Sequence, residues 1–270
     1  MTSAPGDPPG EWDAGVYHRV SDPQVTWGGK VLARLTLAGN ETVVDAGCGT
    51  GRLTADLLER LPHGRVIAVD QSTNMLAEAA AHLVPRFGDR ISFLHANVQD
   101  LQLPEPVDAI FSTATFHWVP DHPRLFRTLF ACLKPGGRVV AQSGGGPNVA
   151  RLRHRAESLL ESPEFRAKAI GWTNPWEFAT PEETSRRLAA AGFTDIETSL
   201  VPAPTTFPDA LAFSEFVKSV VLRAHLSALP DDADRRAFMA EITALAAHDN
   251  PAFTLDYWRL NLAATRPLPP

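Results

Sequence analysis

Val43-Val44-Asp45-Ala46-Gly47-Cys48-Gly49-Thr50-Gly51 decides how the rest of this chain reads. Two β-branched valines suit a buried parallel strand. Glycines at alternate positions then allow a tight turn, because glycine meets no steric barrier at positive φ. Leu53, Leu57, Leu58 and Leu61 follow at helical spacing. Strand, glycine turn and helix form the opening unit of a nucleotide-binding α/β sheet.

A dinucleotide fingerprint counted from Gly47 needs its third glycine at position 52, where Arg52 stands. The stretch instead carries a carboxylate, Asp45, at the strand tip. An anion there repels a pyrophosphate and suits a positively charged ligand. S-adenosylmethionine has a sulfonium, an ammonium and no phosphate. The pattern D-x-G-x-G-x-G resembles motif I of the class I S-adenosylmethionine-dependent methyltransferases.

Outward from this stretch, strands alternate with helices. Thr42–Ala46, Arg65–Asp70, Ile91–His95, Val107–Ser112 and Arg138–Gln142 read as five strands. Lys134-Pro135-Gly136-Gly137 is expected to stop the helix that carries Leu125, Phe126, Leu129, Phe130 and Leu133. Ser72 is expected to cap a helix, and Thr180-Pro181-Glu182-Glu183 reads as a capping box. Thr194–Val201 is a sixth strand, and Leu255–Ala263 a last, antiparallel one. Residues Gly144–Phe178 and about Pro208–Ala247 read as mostly helical. The expected fold is α/β: a seven-stranded, mostly parallel, doubly wound Rossmann-like sheet with an antiparallel last strand and a helical cap. The core would span 11–144, 179–207 and 251–264. Residues 145–178 and 208–250 would form the cap over the substrate site, and 1–10 a flexible tail.

Composition narrows the function. A hydrophobic content of 44% supports a packed core, and the net charge of −6 with no basic stripe argues against nucleic-acid binding. Two cysteines, Cys48 and Cys132, fit a reduced cytoplasmic setting. No metal-ligand spacing, signal peptide or membrane-length apolar run is visible. The expected partner is a small-molecule substrate, with no membrane, for a monomer or homodimer.

Asp70 ends the second strand nineteen residues after Gly51, where an acidic residue reaches ribose hydroxyls. The resemblance implies that Gly47, Gly49, Gly51 and Asp45 cradle the cofactor. Gln71, Asn97 and Val98 would meet the adenine edge. Met75 would pack on the adenine face or simply in the core. Asn97 stands where the family often has Asp, and a turn-capping role is its alternative. Thr113 to Thr115 would offer backbone carbonyls to the methionine ammonium. Tyr17 resembles a residue that folds over the cofactor, with ordinary packing as its alternative.

Phe111-Ser112-Thr113-Ala114-Thr115-Phe116-His117-Trp118 lacks both the N/D-P-P-Y of amino-methylating nucleic-acid enzymes and a cysteine nucleophile. It resembles the F-S-N-A-x-x-H/Q-W of the trans-aconitate and juvenile hormone acid methyltransferase group, with Thr113 in place of Asn. Trp12-Asp13-Ala14-Gly15-Val16-Tyr17 resembles the start of the same group. The resemblance implies O-methylation of a small carboxylic acid. Trp118 would wall the acceptor pocket. His117 would orient a carboxylate or accept a hydroxyl proton. Arg151, Arg223 and Arg259 are candidates to hold a carboxylate. Alternatives are C- or N-methylation of another metabolite, a non-catalytic S-adenosylmethionine binder, and a nicotinamide-dependent oxidoreductase, with which Arg52 conflicts.

Overall fold

The computed structural model describes residues 22–169 and 172–269, with side chains from Trp27 onward. Strands β1 (Thr42–Ala46), β2 (Arg65–Asp70), β3 (Ile91–His95), β4 (Val107–Thr113), β5 (Leu133–Gly144), β6 (Thr194–Pro202) and β9 (Trp258–Thr265) make one sheet. Its order is β3-β2-β1-β4-β5-β9-β6. β1 pairs in parallel with β2 and β4, β2 with β3, and β4 with β5. β9 runs against its neighbours. The Gly136 amide at the start of β5 donates to Arg266 O just past the end of β9, and the Thr194 hydroxyl at the start of β6 donates to Thr265 O.

The strands are buried on both faces. Val43 packs with Leu57, Leu58, Val66, Leu83 and Phe111, whereas Val44 packs with Ile110, Leu125, Phe126 and Leu129. Adjacent residues thus feed opposite cores, as the two-residue period of a strand requires. Ser72 Oγ accepts from the Met75 amide, so the helix Thr73–Phe87 starts where its cap was expected. Thr180 and Glu183 form the reciprocal capping box of Pro181–Ala190, with proline in the first turn.

Three expectations need correction. Lys134–Gly137 does not separate a helix from a strand. The helix ends at Cys132, and β5 already begins at Leu133. Between Val107↔Leu133 and Ala109↔Arg138, β5 carries extra residues, with Gly136 at φ 77, so the signal marks a bulge inside the strand. Among the described residues of the first insertion only Ala150–Leu160 is α-helix, and much of the remainder is turn or irregular. Leu255 does not open the last strand: it lies in a separate ribbon, and β9 begins at Trp258.

The chain divides into two compact units. The sheet unit takes the described residues up to Gly146, Glu177–Leu200 and those from Leu260. The helical unit takes Pro147–Trp176 and Val201–Arg259. The helical unit holds Ala150–Leu160, Ala210–Phe216 running on into a π turn, Arg223–Ser227 and Asp232–Ala247. It also holds the antiparallel ribbon of β7 (Thr205–Thr206) and β8 (Thr254–Leu255). Phe165 meets Phe238 edge to face in its core, and Arg155 grips Asp249 through two bonds. His225 is fully buried against Trp172 and Trp176, and burial pushes its imidazole down to about 4. Among the described residues no helix is long and apolar enough to cross a membrane.

At the end of β1, Gly47 has φ 79, and a Cβ built there would lie 2.5 Å from Thr115 Cγ2 and closer still to Oγ1. Gly49, at φ 54, has nothing within 4 Å of its Cβ position. Gly47→Ala should therefore lower the unfolding free energy by more than the roughly 1–2 kcal/mol of left-handed strain alone. Gly49→Ala should cost no more than that strain. Urea denaturation of both variants checks this, and equal losses would contradict it.

Candidate functional site

The turn after β1 is bonded almost entirely to its own protein. The Gly47 and Cys48 amides donate to Val69 O at 2.8 and 3.0 Å, and the Gly51 amide donates to Cys48 O. The Gly49 amide donates to Asp70 Oδ2 at 2.9 Å. A pyrophosphate would need such amides for itself. Here four of them are engaged, one by a carboxylate. The turn therefore rejects a diphosphate, for a reason beyond the missing third glycine. The open space over Gly49 leaves room for an uncharged or cationic group.

Beneath the turn, Asp45 is 2% exposed and accepts from Thr54 Oγ1 at 2.6 Å. Burial pushes its carboxyl up to about 7. The Asp70 charge adds to this rise and the Thr54 hydrogen bond opposes it. The same burial, with the charges of Asp45 and Asp70, holds the Cys48 thiol well above its ordinary range. A buried carboxyl this short of compensation is stabilised in its charged form by a cation. The donor set thus fits a sulfonium ligand.

Asp70 sits at the tip of β2. Its Oδ2 accepts from Gly49 N, and its Oδ1 accepts from Ser72 N at 2.9 Å. Each carboxylate oxygen has two acceptor directions, so these bonds orient the group and still permit ribose hydroxyls. Gln71 is exposed beside it, and its carbonyl meets His95 Nε2 at 2.9 Å. Met75 is 3% exposed, which favours its packing role. Asn97 is exposed, but its Oδ1 accepts from Gln99 N at 3.1 Å, so this oxygen caps a turn. Val98, next to it, is buried. Tyr17 and the Trp12–Tyr17 stretch lie outside the described residues. Arg151 donates to Thr254 O at 2.6 Å and faces Asp249, which commits it to the helical unit's own framework.

β4 ends in an irregular turn. Thr113 closes the strand half-buried, and Ala114 follows at φ 55, a left-handed conformation unusual for a residue with a side chain. Strain of this kind persists where its surroundings enforce it. The Ala114 amide is held by Gln142 O of β5 at 2.8 Å, and Thr115 Oγ1 donates to Thr113 O at 3.0 Å. Phe116–Trp118 then form a short 3-10 turn. His117, 9% exposed, stacks on Phe178 and lies against the half-buried Trp118.

One bond defines the chemistry of His117. Its Nδ1 accepts from the Gly144 amide at 3.3 Å. An amide can only donate, so Nδ1 carries no proton and Nε2 does. His117 is a hydrogen-bond donor at Nε2. The structure thus brings Asp45, the glycine turn and Asp70 together at the tips of β1 and β2, and places His117 and Trp118 beyond the tip of β4. Sequence reading placed Ala114 in the turn but missed its left-handed conformation, and it missed the parts played by Gln142 and Gly144, because these rest on backbone groups that no side-chain pattern encodes. It also missed His122, whose Nε2 meets Phe116 O at 2.9 Å. Among the described residues no group of three His, Cys, Asp or Glu side chains could hold a metal ion.

Known proteins resemble this chain in sequence and in fold. Residues 43–137 match a family model described as a methyltransferase domain. The trans-aconitate 2-methyltransferase of Methylobacterium nodulans is 33% identical over 269 residues, covering 95% of this chain and 98% of that protein. The enzyme of the same name from Deinococcus radiodurans is 30% identical over 266 residues, covering 95% and 98%. Among solved structures, the phosphoethanolamine N-methyltransferase 2 of Haemonchus contortus in complex with S-adenosyl-L-methionine superposes with a TM-score of 0.62. It shares 18% identity and covers 94% of this chain and 56% of that one, a likeness of fold. With a relative one-third identical along its whole length, this chain belongs to the trans-aconitate 2-methyltransferase family of class I, S-adenosylmethionine-dependent methyltransferases.

Proposed function

We propose that the protein methylates a carboxylate oxygen of a small organic acid. The bond from the Gly144 amide to His117 Nδ1 carries this reading. A hydroxyl acceptor benefits from a base that takes its proton. His117 offers the opposite, a proton-bearing Nε2, and so suits an acceptor that arrives as an anion and needs to be held. The names of the full-length relatives, which act on trans-aconitate, support the same substrate class.

The cofactor supplies an electrophilic methyl carbon whose bonding pair leaves with sulfur, so a carboxylate acceptor needs no proton removed. The protein's share is binding and alignment. Asp45 and the glycine turn favour the cationic end, and Asp70 the ribose. Thr113 and Ala114 present backbone carbonyls at the tip of β4. His117 donates to an acceptor oxygen, and Trp118 and Phe178 limit how that oxygen is approached and keep water away.

Two outcomes are expected. His117→Ala should reduce kcat/KM for acid acceptors by roughly tenfold or more while the calorimetric affinity for S-adenosylhomocysteine stays unchanged. The active acceptors in a panel of acids, phenols and amines should be the acids. Phenol or amine methylation that survives His117→Ala at the wild-type rate would sink the proposal.

Asp45 generates a pH effect with a definite sign. Its carboxyl is raised from 3.8 in the unfolded chain to about 7 in the fold. The native state then holds a proton that the unfolded state sheds between those values. The associated stability is fully present below pH 3.8 and is lost as pH rises through about 7, a span worth at most about 4 kcal/mol. A cation bound nearby prefers the ionised form, so S-adenosylmethionine affinity should rise with pH across the same window. Asp45→Asn should flatten both profiles. Thermal melts and calorimetry between pH 5 and pH 8, in roughly unit steps, measure them.

A further inference from the structure

The peptide groups on either side of the His117 Cα are both pinned by side chains or backbone from later in the chain. The carbonyl before it, Phe116 O, accepts from His122 Nε2 at 2.9 Å. The carbonyl after it, His117 O, accepts from the Glu177 amide at 2.9 Å. Arg187 joins the two clamps. It donates to His122 Nδ1 at 2.9 Å and pairs with the Glu177 carboxylate at 2.9 Å. A guanidinium has no acceptor, so Nδ1 of His122 is unprotonated and Nε2 carries the proton it gives to Phe116 O. The contacts close a ring: Phe116 O, His122, Arg187, Glu177, His117 O. His122 is 2% exposed, and the ring lies wholly within the sheet unit.

We propose that Arg187 is a positioning residue for the transfer reaction: through His122 and Glu177 it fixes both peptide planes of His117, and so sets where that imidazole stands toward the acceptor. The inference rests on the reading of His117 given above. Two planar peptide groups determine φ and ψ of the residue between them, so fixing both carbonyls leaves the side chain only its own rotamer freedom. The Gly144 amide removes that remaining freedom by fixing Nδ1. Arg187 touches neither His117 nor a reacting atom in this scheme. Its side chain is joined to both clamps.

The ring also has an electrostatic state. Burial pushes the His122 imidazole down first. The Phe116 carbonyl opposes this, the Arg187 charge pushes further down, and Glu177 and Asp121 oppose in turn. The Phe126 ring, 5.7 Å away, contributes no charge. Without Arg187, the two carboxylates would act on His122 with no cation against them, and its Nδ1 would be free to take a proton.

The test is a double-mutant cycle between Arg187→Met and His117→Ala, with Arg187→Lys and His122→Gln alongside. Initial rates give kcat and KM for an acid acceptor across pH. Calorimetry gives the S-adenosylhomocysteine affinity, and thermal melts confirm that each variant is folded. Arg187→Met should lower kcat/KM for the acceptor by about tenfold to a hundredfold, with product affinity unchanged. In the His117→Ala background it should cost less than about twofold. The acid limb of its pH profile should move to higher pH. Arg187→Lys, which keeps a donor and a charge, should restore most of the rate and the wild-type limb. His122→Gln, which keeps a donor for Phe116 O and cannot titrate, should remove the shifted limb when combined with Arg187→Met.

Wild-type turnover in His117→Ala would remove the reading of His117 and this inference with it. A slowed His117→Ala on which Arg187→Met still costs its full factor would overturn the inference alone. So would an Arg187→Met enzyme whose pH profile matches the wild type.

Discussion

Gly47 has no room for a side chain, because Thr115 fills the space where a Cβ would stand. That contact joins the turn after β1, proposed above to face the cofactor, to the turn after β4, proposed to face the acceptor. Thr115 Oγ1 bonds Thr113 O within its own turn and lies 3.4 Å from Gly47 O in the other. Ser112, one turn of strand earlier, donates to Ala46 O at 2.6 Å. Methyl transfer in line requires the two reactants to meet at a fixed separation and angle. A fold that set the two turns independently would have to order them on every cycle. Here the ordering is built into the sheet, and its cost is met once, on folding.

The strands were legible because their burial is two-sided and their turns are chemically marked. β1, β2 and β3 begin and end at the residues their hydrophobic runs predict. So do the caps at Ser72 and Thr180, where a side-chain oxygen has a defined local task. Legibility fails where the same residues serve two geometries. Lys134-Pro135-Gly136-Gly137 has the composition of a helix stop, yet a bulge in a strand also needs a left-handed glycine. Ala114 is harder still. Nothing in an alanine announces φ 55. Only the Gln142 carbonyl holding its amide explains it, and that carbonyl is twenty-eight residues away in sequence. His122 and Arg187 were invisible for a related reason, since their role lies in whom they touch.

The choice of ligand follows from bookkeeping of amides and charge. In a dinucleotide site the glycine turn leaves amides pointing outward to receive phosphate. In this chain those amides are turned inward, to Val69 O, Cys48 O and the Asp70 carboxylate. What remains at the tips of β1 and β2 is negative: Asp45, buried and reluctant to ionise, and Asp70, partly neutralised by two amides. Such a surface stores unfavourable electrostatic energy when Asp45 is charged and alone. A cationic adenosine ligand releases it and a diphosphate would add to it. The proposed selectivity between two adenosine cofactors thus rests on where four backbone amides of this turn point.

On the acceptor side a single proton location separates reaction classes that the fold leaves open. Class I methyltransferase sheets are shared by enzymes acting on very different groups, so architecture alone does not choose among oxygen, nitrogen and carbon acceptors. An imidazole whose inner nitrogen faced a carbonyl would expose a lone pair and could serve as a base. The inner nitrogen of His117 faces an amide instead, and Gly144 is the last residue of β5, anchored in the sheet. The tautomer is therefore a property of the fold. To convert His117 into a base, β5 would have to end with a carbonyl where it now ends with an N–H, which means shifting the strand by a residue and breaking its register with β4. The donor character of His117 is thus as firmly built as the sheet itself, and the acid acceptor proposed above is the substrate class that makes use of it.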